Sequence, residues 1–408
     1  MSPSPKVLLA DTNRWDLGAR LAIGLSQIGC TVSAVCPSHG HALLVTHVVK
    51  RTFPYRASNP LEALRAAIDA VDPDIVIPSC DRSVEHLHQL YGLALKRGAA
   101  GQRIVRLIER SLGNPSGYRT ITSRYELLAL AIEEGVRVPQ TTRVSSGADL
   151  DLWRASESKA CVIKVDGTWG GGGVRILRES GLSPAVWGEI TKTSRLSRAI
   201  KRLLINRDPF YLRSWLNHVE RPIIAQRFIE GRPANCTVFA WNGEVVALIA
   251  VEVLRSEGST GPASVVRLIH NNEMRNAAKR IASRLGMSGF FGLDFILEEG
   301  TGYAYLIEMN ARLTPPCYLR FEKGRDLVGA MWASVTGQPL PDNVRVTESD
   351  VIAYHPQTVR EQDRPQDCFY SEPTDEPELA RELQNPFPNR TALFRLVQLF
   401  DRKPEAIR

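Results

Sequence analysis

The sequence predicts a mixed α/β and α+β protein: an N-terminal parallel sheet with helices on its faces, then a unit built on β hairpins, then a short strand-and-helix extension. Three observations carry this. Short apolar runs alternate with helix-spaced apolar residues up to Leu112. Two turn signals, Asn242-Gly243 and "EEGTG", each sit between apolar runs and read as hairpins. Four consecutive glycines, Gly170 to Gly173, lie between two strand-like stretches.

The elements follow in order. "KVLLA" reads as a buried strand, and the spacing of Leu17, Leu21, Ile23, Leu25 and Ile28 as the helix after it. "TVSAVCP" is a second strand. "NPLEALRAAIDAVDP" is a helix that Asn59 can cap and that carries Pro60 in its first turn. "DIVIPS" is a third strand, and "SVEHLHQLYGLALKRG" the next helix. Such alternation implies parallel pairing. This first unit spans residues 1–112 and ends where "GNPSG" breaks the pattern.

The second unit, 113–340, opens with a helix in "TSRYELLALAIEEG" and the strand-like "VRVPQTTRV". The glycine run follows, then a basic, mainly helical segment over 182–219 and the strand "PIIAQRFI". "NCTVFAWNGEVVALIAVEVLRS" reads as two strands, "NNEMRNAAKRIASRLG" as a helix, and "GFFGLDFILEEGTGYAYLIEMNARL" as a hairpin. Residues 341–408, richer in Pro, Asp and Glu, form the extension.

Composition excludes several classes. The 408 residues suffice for two or three domains with real cores. No apolar run approaches the length that spans a bilayer, and Asp11 interrupts the N-terminal apolar stretch, so the expectation is a cytoplasmic protein without membrane contact. Seven scattered cysteines include no CxxC pair, which argues against a disulfide framework and a thiolate zinc site. The net charge of +7 suits an anionic substrate. Its spread along the chain, without Lys/Arg blocks interleaved with aromatics, disfavours nucleic acid as a partner.

Two constellations carry chemistry. In "CVIKVDGTWGGGGVRIL", Lys164 sits inside an apolar run, where its charge is costly unless it meets an anion. Gly170, Gly171, Gly172 and Gly173 free backbone N–H groups to approach that anion, as a flap over phosphates. A flexible linker is the alternative use of such a run. The spacing is neither GxxxxGK[ST] nor GxGxxG heading a helix. In the second hairpin, Glu308 and Asn310 are two apart and share a strand face, and Asp294 on the partner strand can join them. Two carboxylates and an amide oxygen form a hard-oxygen set suited to magnesium on nucleotide phosphates. Arg312 continues that face and could stabilise charge on a reacting group. A solvated strand face is the plainer alternative.

The ordered set of a strand lysine with a glycine flap, "QRFIEG", Asp294 on one strand and "EMNAR" on the next resembles the ATP-grasp superfamily. It is similar in pattern to biotin carboxylase, carbamoyl phosphate synthetase halves and carboxylate–amine ligases. The resemblance covers 113–340, and the preceding sheet resembles that family's Rossmann-like N-terminal domain.

The resemblance implies ATP between a lid, about 141–227, and a C-terminal subdomain. Lys164 then contacts phosphates, and Gly170 to Gly173 close over them. Arg124 stands where the family usually has a second phosphate-binding lysine, a fork in place of a point charge. Gln226, Arg227, Phe228 and Ile229 form the hinge strand at the adenine edge, with Gln226 replacing the usual glutamate. Ile296 is an apolar floor for the base. Asp294, Glu308 and Asn310 are implied ligands of Mg2+, with Mn2+ the alternative metal. Arg312 and Lys164 are the implied catalytic groups. The implied reaction joins a small-molecule carboxylate, activated as an acyl phosphate, to an amine or similar nucleophile, with ADP and phosphate released. Many members are dimers, so a homodimer is compatible, although no segment reads as an interface.

Four more residues are weaker substrate-site candidates. Glu252 lies before "STGPASVVRLI" and Arg267 within it, and this stretch falls where the family has a loop near the phosphates. Asp81 and Arg82 follow a parallel strand, where ligands gather, although Asp81 or Ser83 could equally cap the helix. His86 and His88 read as incidental helix residues. The basic run from Lys192 to Arg213 reads as a solvated helix face or as a contact on an enlarged lid. Two rival functions stay open: a bicarbonate-activating carboxylase or carbamoyl-phosphate-type enzyme, and a non-catalytic nucleotide- or nucleic-acid-binding protein.

Overall fold

A computed structural model describes residues 4–14, 16–156, 160–166, 173–178, 187–188, 222–258, 261–340 and 345–384. The expectations for Gly170, Gly171 and Gly172, for the basic run from Lys192 to Arg213 and for 385–408 lie outside the described residues.

The N-terminal unit is the expected parallel sheet. Strands β1 (Lys6–Ala10), β2 (Thr31–Cys36), β3 (Val49–Pro54) and β4 (Ile75–Pro78) pair in the order β3-β2-β1-β4. Helices α1 (Leu17–Gln27), α2 (Ala42–Val45), α3 (Pro60–Val71), α4 (Asp81–Lys96) and α5 (Gln102–Leu112) surround it. β1 is buried on both faces: Val7 and Leu9 join one core, Leu8 and Ala10 another. That is why it reads as an unbroken apolar run rather than an alternating one. β3 has no counterpart in the sequence reading. As an edge strand it exposes Lys50, Arg51 and Thr52 in succession, which leaves no apolar period to detect.

Two helices, α6 (Tyr118–Thr122) and α7 (Arg124–Glu133), lead into the second unit. Ser123 caps α7 by accepting the Glu126 N–H at 3.4 Å. A small antiparallel sheet, in the order β5-β8-β6-β7, contains β5 (Thr141–Val144), β6 (Cys161–Val165), β7 (Val174–Leu177) and β8 (Ile223–Arg227). Helix α8 (Gly147–Ser156) connects β5 to this sheet's centre.

A seven-stranded sheet follows in the order β13-β12-β9-β10-β11-β14-β15. β9 (Gly231–Trp241) and β10 (Glu244–Ser256) turn at Asn242 (φ 51°) and Gly243 (φ 84°), the left-handed pair of a type I′ hairpin. "STGPASVVRLI" departs from the loop the family pattern implies: Ala263–Ile269 is strand β11, paired with β10 on one side and with β14 on the other. β12 (Gly289–Glu298) and β13 (Ala304–Asn310) form the last hairpin. β14 (Val351–Ala353) and β15 (Phe369–Tyr370) come from the extension, so its strands complete this sheet.

Packing joins the N-terminal sheet to the seven-stranded sheet. One face of the seven-stranded sheet buries Val238, Phe291 and Leu293 with α7 and helix α9 (Asn272–Leu285). The opposite face places Phe239, Ile249 and Val266 in the same core as Val7, Leu9 and α1. Helix α10 (Leu327–Thr336) belongs to that core too, and helix α11 (Pro377–Gln384) closes it through Leu379. Fully burying each such aliphatic side chain is worth about 1.5–3 kcal/mol. The shared core fixes the carboxyl ends of β1 and β4 against the seven-stranded sheet. No helix among the described residues is long and apolar enough to cross a membrane.

Candidate active site

The three sheets meet at one cleft of about 1060 Å³. β6 and β7 supply one wall, β12 and β13 the other, and the first turn of α4 one side. Its size sits at the upper end of the about 300–1,000 Å³ usual for small-molecule sites, which leaves room for two ligands.

The carboxylates come together as strand geometry requires. Asp294 lies directly opposite Glu308 in the β12–β13 register, and Gly292 opposite Asn310. Asn310 donates from Nδ2 to Asp294 Oδ2 at 2.9 Å, and Arg312 donates from Nη2 to Asn310 Oδ1 at 3.0 Å. β13 ends at Asn310, so Arg312 reaches the cluster from just beyond the strand. Its Nε donates to Asp81 Oδ2 at 2.9 Å, which ties the seven-stranded sheet to α4. Asp81 is therefore not the α4 cap. Cys80 holds that position, and Ser83 Oγ accepts the Cys80 N–H at 3.2 Å.

Two cations face the carboxylates from across the cleft. Lys164, 4% exposed, donates from Nζ to Ile307 O at 3.0 Å. Burial pushes its ammonium down to about 8, against the pull of Glu308. Arg124, the first residue of α7, donates from Nε and Nη2 to Glu308 Oε1, and from Nη1 to Val165 O at 2.9 Å. Burial raises the Glu308 carboxyl, but Arg124 and Lys164 outweigh it and hold the group below its ordinary value. Asp294 makes no ion pair among the described residues, and the pull of Arg312 and Lys164 on it does not offset its burial. Burial first, then Glu308, push it up to about 6.

That asymmetry describes a site short of positive charge. Asn235 on β9, directly opposite Asp294, adds a buried Oδ1 with no hydrogen-bond partner among the described residues. Asp294, Glu308, Asn310 and Asn235 are hard oxygen donors of the kind that hold Mg2+ or Mn2+. Among the described residues no three His, Cys, Asp or Glu side chains group as a metal site, so a cation here would need the amides or a ligand's phosphates to complete its shell. The donor set fits a phosphate-bound magnesium.

The far end of the cleft is apolar. Phe228, Ile229 and Ile296 line it with Val162 and Ile176. Gln226, 1% exposed, donates from Nε2 to Thr141 Oγ1 at 3.2 Å and so ties β8 to β5. Arg227 also lines the cleft. Gly173 accepts the Val165 N–H at 3.1 Å beside Lys164.

The weaker candidates divide. Asp81 lines the cleft, whereas Arg82 is 1% exposed and does not line it. Glu252 is buried and takes Arg267 at 3.0 Å and Arg232 at 2.8 Å, and neither Glu252 nor Arg267 lines the cleft. His86 stacks on Tyr55 at 6.0 Å between ring centroids. His88 stacks on Tyr118 at 3.9 Å and does line the cleft; burial pushes it down to about 4, so it stands there neutral. Sequence reasoning misses Asn235, Asp166, Tyr354 and Gln357, all of which line the cleft.

Residues 204–316 match the ATP-grasp domain family. A stretch of 105 residues, 24% of the chain, is 30% identical to a carbamoyl-phosphate synthase from Methanobrevibacter smithii and covers 28% of that protein. The match thus spans little more than a quarter of the curated relative. A biotin carboxylase from Campylobacter jejuni, solved with an ATP analogue, superposes with a TM-score of 0.59 at 14% identity, over 83% of this chain and 72% of that one. The biotin carboxylase domain dimer of the Hydrogenobacter thermophilus 2-oxoglutarate carboxylase, solved with MgADP, ADP and bicarbonate, superposes with a TM-score of 0.56 at 16% identity, over 82% and 70%.

Proposed function

We propose that this chain, whose residues 204–316 match the ATP-grasp domain family and follow a parallel sheet, is an ATP-dependent, ADP-forming ligase. It would activate a carboxylate as an acyl phosphate and join it to an amine or similar nucleophile. One observation carries this reading: Arg124 bonds Glu308 and Lys164 bonds the adjacent Ile307 carbonyl, opposite Asp294, in a cleft with an apolar far end. Cations beside hard oxygens suit a polyphosphate, and an apolar slot suits a base.

The roles follow from position. Phe228, Ile229 and Ile296 would hold adenine, with the backbone near Gln226 and Arg227 along its edge. Lys164, Arg124 and the Gly170 to Gly173 run would hold the phosphates. Asp294, Glu308 and Asn310 would hold Mg2+, which neutralises phosphate charge when bound. Arg312, steered by Asp81, would face the transferring phosphoryl group. The carboxylate attacks the γ-phosphate, ADP leaves, and the nucleophile then displaces phosphate from the acyl phosphate. Positioning and charge neutralisation suffice, so no side-chain nucleophile is required. We take the protein to work in the cytoplasm as a homodimer, in line with the dimer of the Hydrogenobacter domain.

ADP release from MgATP across a crossed panel of carboxylic acids and amines, with and without bicarbonate, tests the reading, with Glu308→Gln as control. Release that needs one acid and one amine, and is lost in the control, supports it. Release that needs bicarbonate favours the carboxylase or carbamoyl-phosphate reading, which the Methanobrevibacter relative and the bicarbonate-bound neighbour keep open. Tight nucleotide binding without any turnover would favour a binding protein.

A further inference from the structure

The cleft continues past the carboxylate row to an end built from three distant parts of the chain. Asp16 and Leu17 enter it just after β1, Tyr318 lies beyond β13, and Tyr354 and Gln357 follow β14. In the order β3-β2-β1-β4 the strand order reverses between β1 and β4, since β2 lies on the far side of β1. Their carboxyl ends therefore form a switch-point crevice, the usual ligand position of an open α/β sheet. Arg20 fixes this end. It lies 4.2 Å over the Tyr318 ring and donates to the carbonyls of His355 (3.2 Å) and Ser371. It does not itself line the cleft.

The polar atoms left here are unbalanced. Tyr354 is 4% exposed, and its hydroxyl has no hydrogen-bond partner among the described residues. Gln357 Oε1 is buried and likewise without one. Asp16 occupies the N-cap position of α1, yet its side chain accepts no capping bond. Gln357 Oε1 only accepts and the Tyr354 hydroxyl can do either, so one donor can pair with both, while Asp16, which Arg20 attracts, adds a carboxyl to the same cleft. Leaving such atoms unpaired is costly, by about 1–3 kcal/mol each. An anionic ligand would face Asp16 and gain nothing. Leu17, Val253, Pro262 and Ala263 line the same cleft and add apolar surface to it.

We propose that Asp16, Tyr354 and Gln357 form the recognition end for the second substrate, a primary amine on a small apolar body, with Tyr354 and Gln357 setting its specificity. This rests on the ligase reading above. It also gives the extension a task, since β14 carries both specificity residues to the cleft.

The test is titration calorimetry on the full chain with magnesium and the non-hydrolysable analogue AMP-PNP present. The probes are the proteinogenic L-amino acids, the unbranched primary alkylamines from ethylamine to hexylamine, and the des-amino carboxylic acids and alcohols that match them. At least one amine binds, and its des-amino partner binds about tenfold more weakly or worse. Tyr354→Phe and Gln357→Leu each weaken that amine by about three- to tenfold while AMP-PNP affinity stays put, which also shows that the variants fold. AMP-PNP binding without any amine overturns this inference alone. So does an amine whose affinity neither variant changes, or one matched by its des-amino partner. Failure of AMP-PNP itself to bind overturns the ligase reading and this inference with it.

Discussion

Arg124 places two of its N–H groups on a single oxygen of Glu308, Nε at 3.0 Å and Nη2 at 2.6 Å. In the free protein this guanidinium neutralises one of the carboxylates proposed to hold a cation. Burial would lower Arg124, but Glu308 and Asp166 outweigh it and hold the group above its ordinary value. It is charged at every working pH. On the proposed ligase reading, nucleotide binding would have Arg124 exchange Glu308 for phosphate oxygens, leaving Glu308 to hold the cation.

Arg124→Ala should therefore weaken AMP-PNP binding by about ten- to a hundredfold, the worth of one or two charge-assisted hydrogen bonds. Arg124→Lys should recover part of that loss, since charge returns without the fork. Calorimetry checks both, and wild-type affinity in Arg124→Ala would remove Arg124 from the phosphate site.

Asp294 pits stability against function. Its carboxyl, pushed up to about 6, lies above the ordinary value of 3.8, so the folded chain binds this proton more tightly than the unfolded chain. Its stabilising contribution is complete below about pH 4 and is lost as pH rises through about 6. Asp294→Asn keeps the shape without the charge. It should raise Tm by about 2 °C at pH 8, and leave it unchanged near pH 4. Magnesium-dependent nucleotide binding should fall in the same variant. An unchanged Tm at pH 8 would mean that Asp294 is not strained by its neighbours.

On the same proposal, Lys164 would set the alkaline limit of nucleotide binding. Its ammonium, pushed down to about 8, must be charged to hold phosphate. AMP-PNP affinity should then fall as pH rises above about 8, with proton uptake on binding visible as a buffer-dependent heat. Lys164→Met should remove that uptake and weaken binding. An affinity flat from pH 7 to pH 10 would contradict the role.

How much of this is legible in sequence depends on how local each signal is. Glu308 and Asn310 share a face by the period of a strand, and the turn at "EEGTG" brings Asp294 opposite Glu308. Three residues of the site thus follow from one hairpin. Ion pairs across the fold do not. Arg124 meets Glu308 over 184 positions, and Arg312 meets Asp81 over 231. Glu252 and Arg267 look like site residues from either side of a loop, but β11 is a strand whose second partner, β14, arrives only at Val351. Tyr354 and Gln357 carry no local signal, because the wall they form is held by Arg20 from the other end of the chain.

The Asp81–Arg312 pair yields the most discriminating prediction for catalysis. Burial would lower Arg312, and Asp81 outweighs it, so the arginine is charged and its direction is set by an N-terminal residue. A group that stabilises charge only in the transition state lowers kcat when removed and spares ground-state binding. With the substrate pair found by the ADP-release panel, Arg312→Ala should lower kcat by about a hundred- to a thousandfold, as loss of a charge-stabilising donor does elsewhere. Asp81→Asn keeps a hydrogen-bond acceptor but loses the charge that steers Arg312, and should lower kcat by about tenfold with the KM for ATP unchanged. If Asp81→Asn instead raises the KM for ATP at constant kcat, the pair belongs to nucleotide binding and Arg312 has no part in the transfer step.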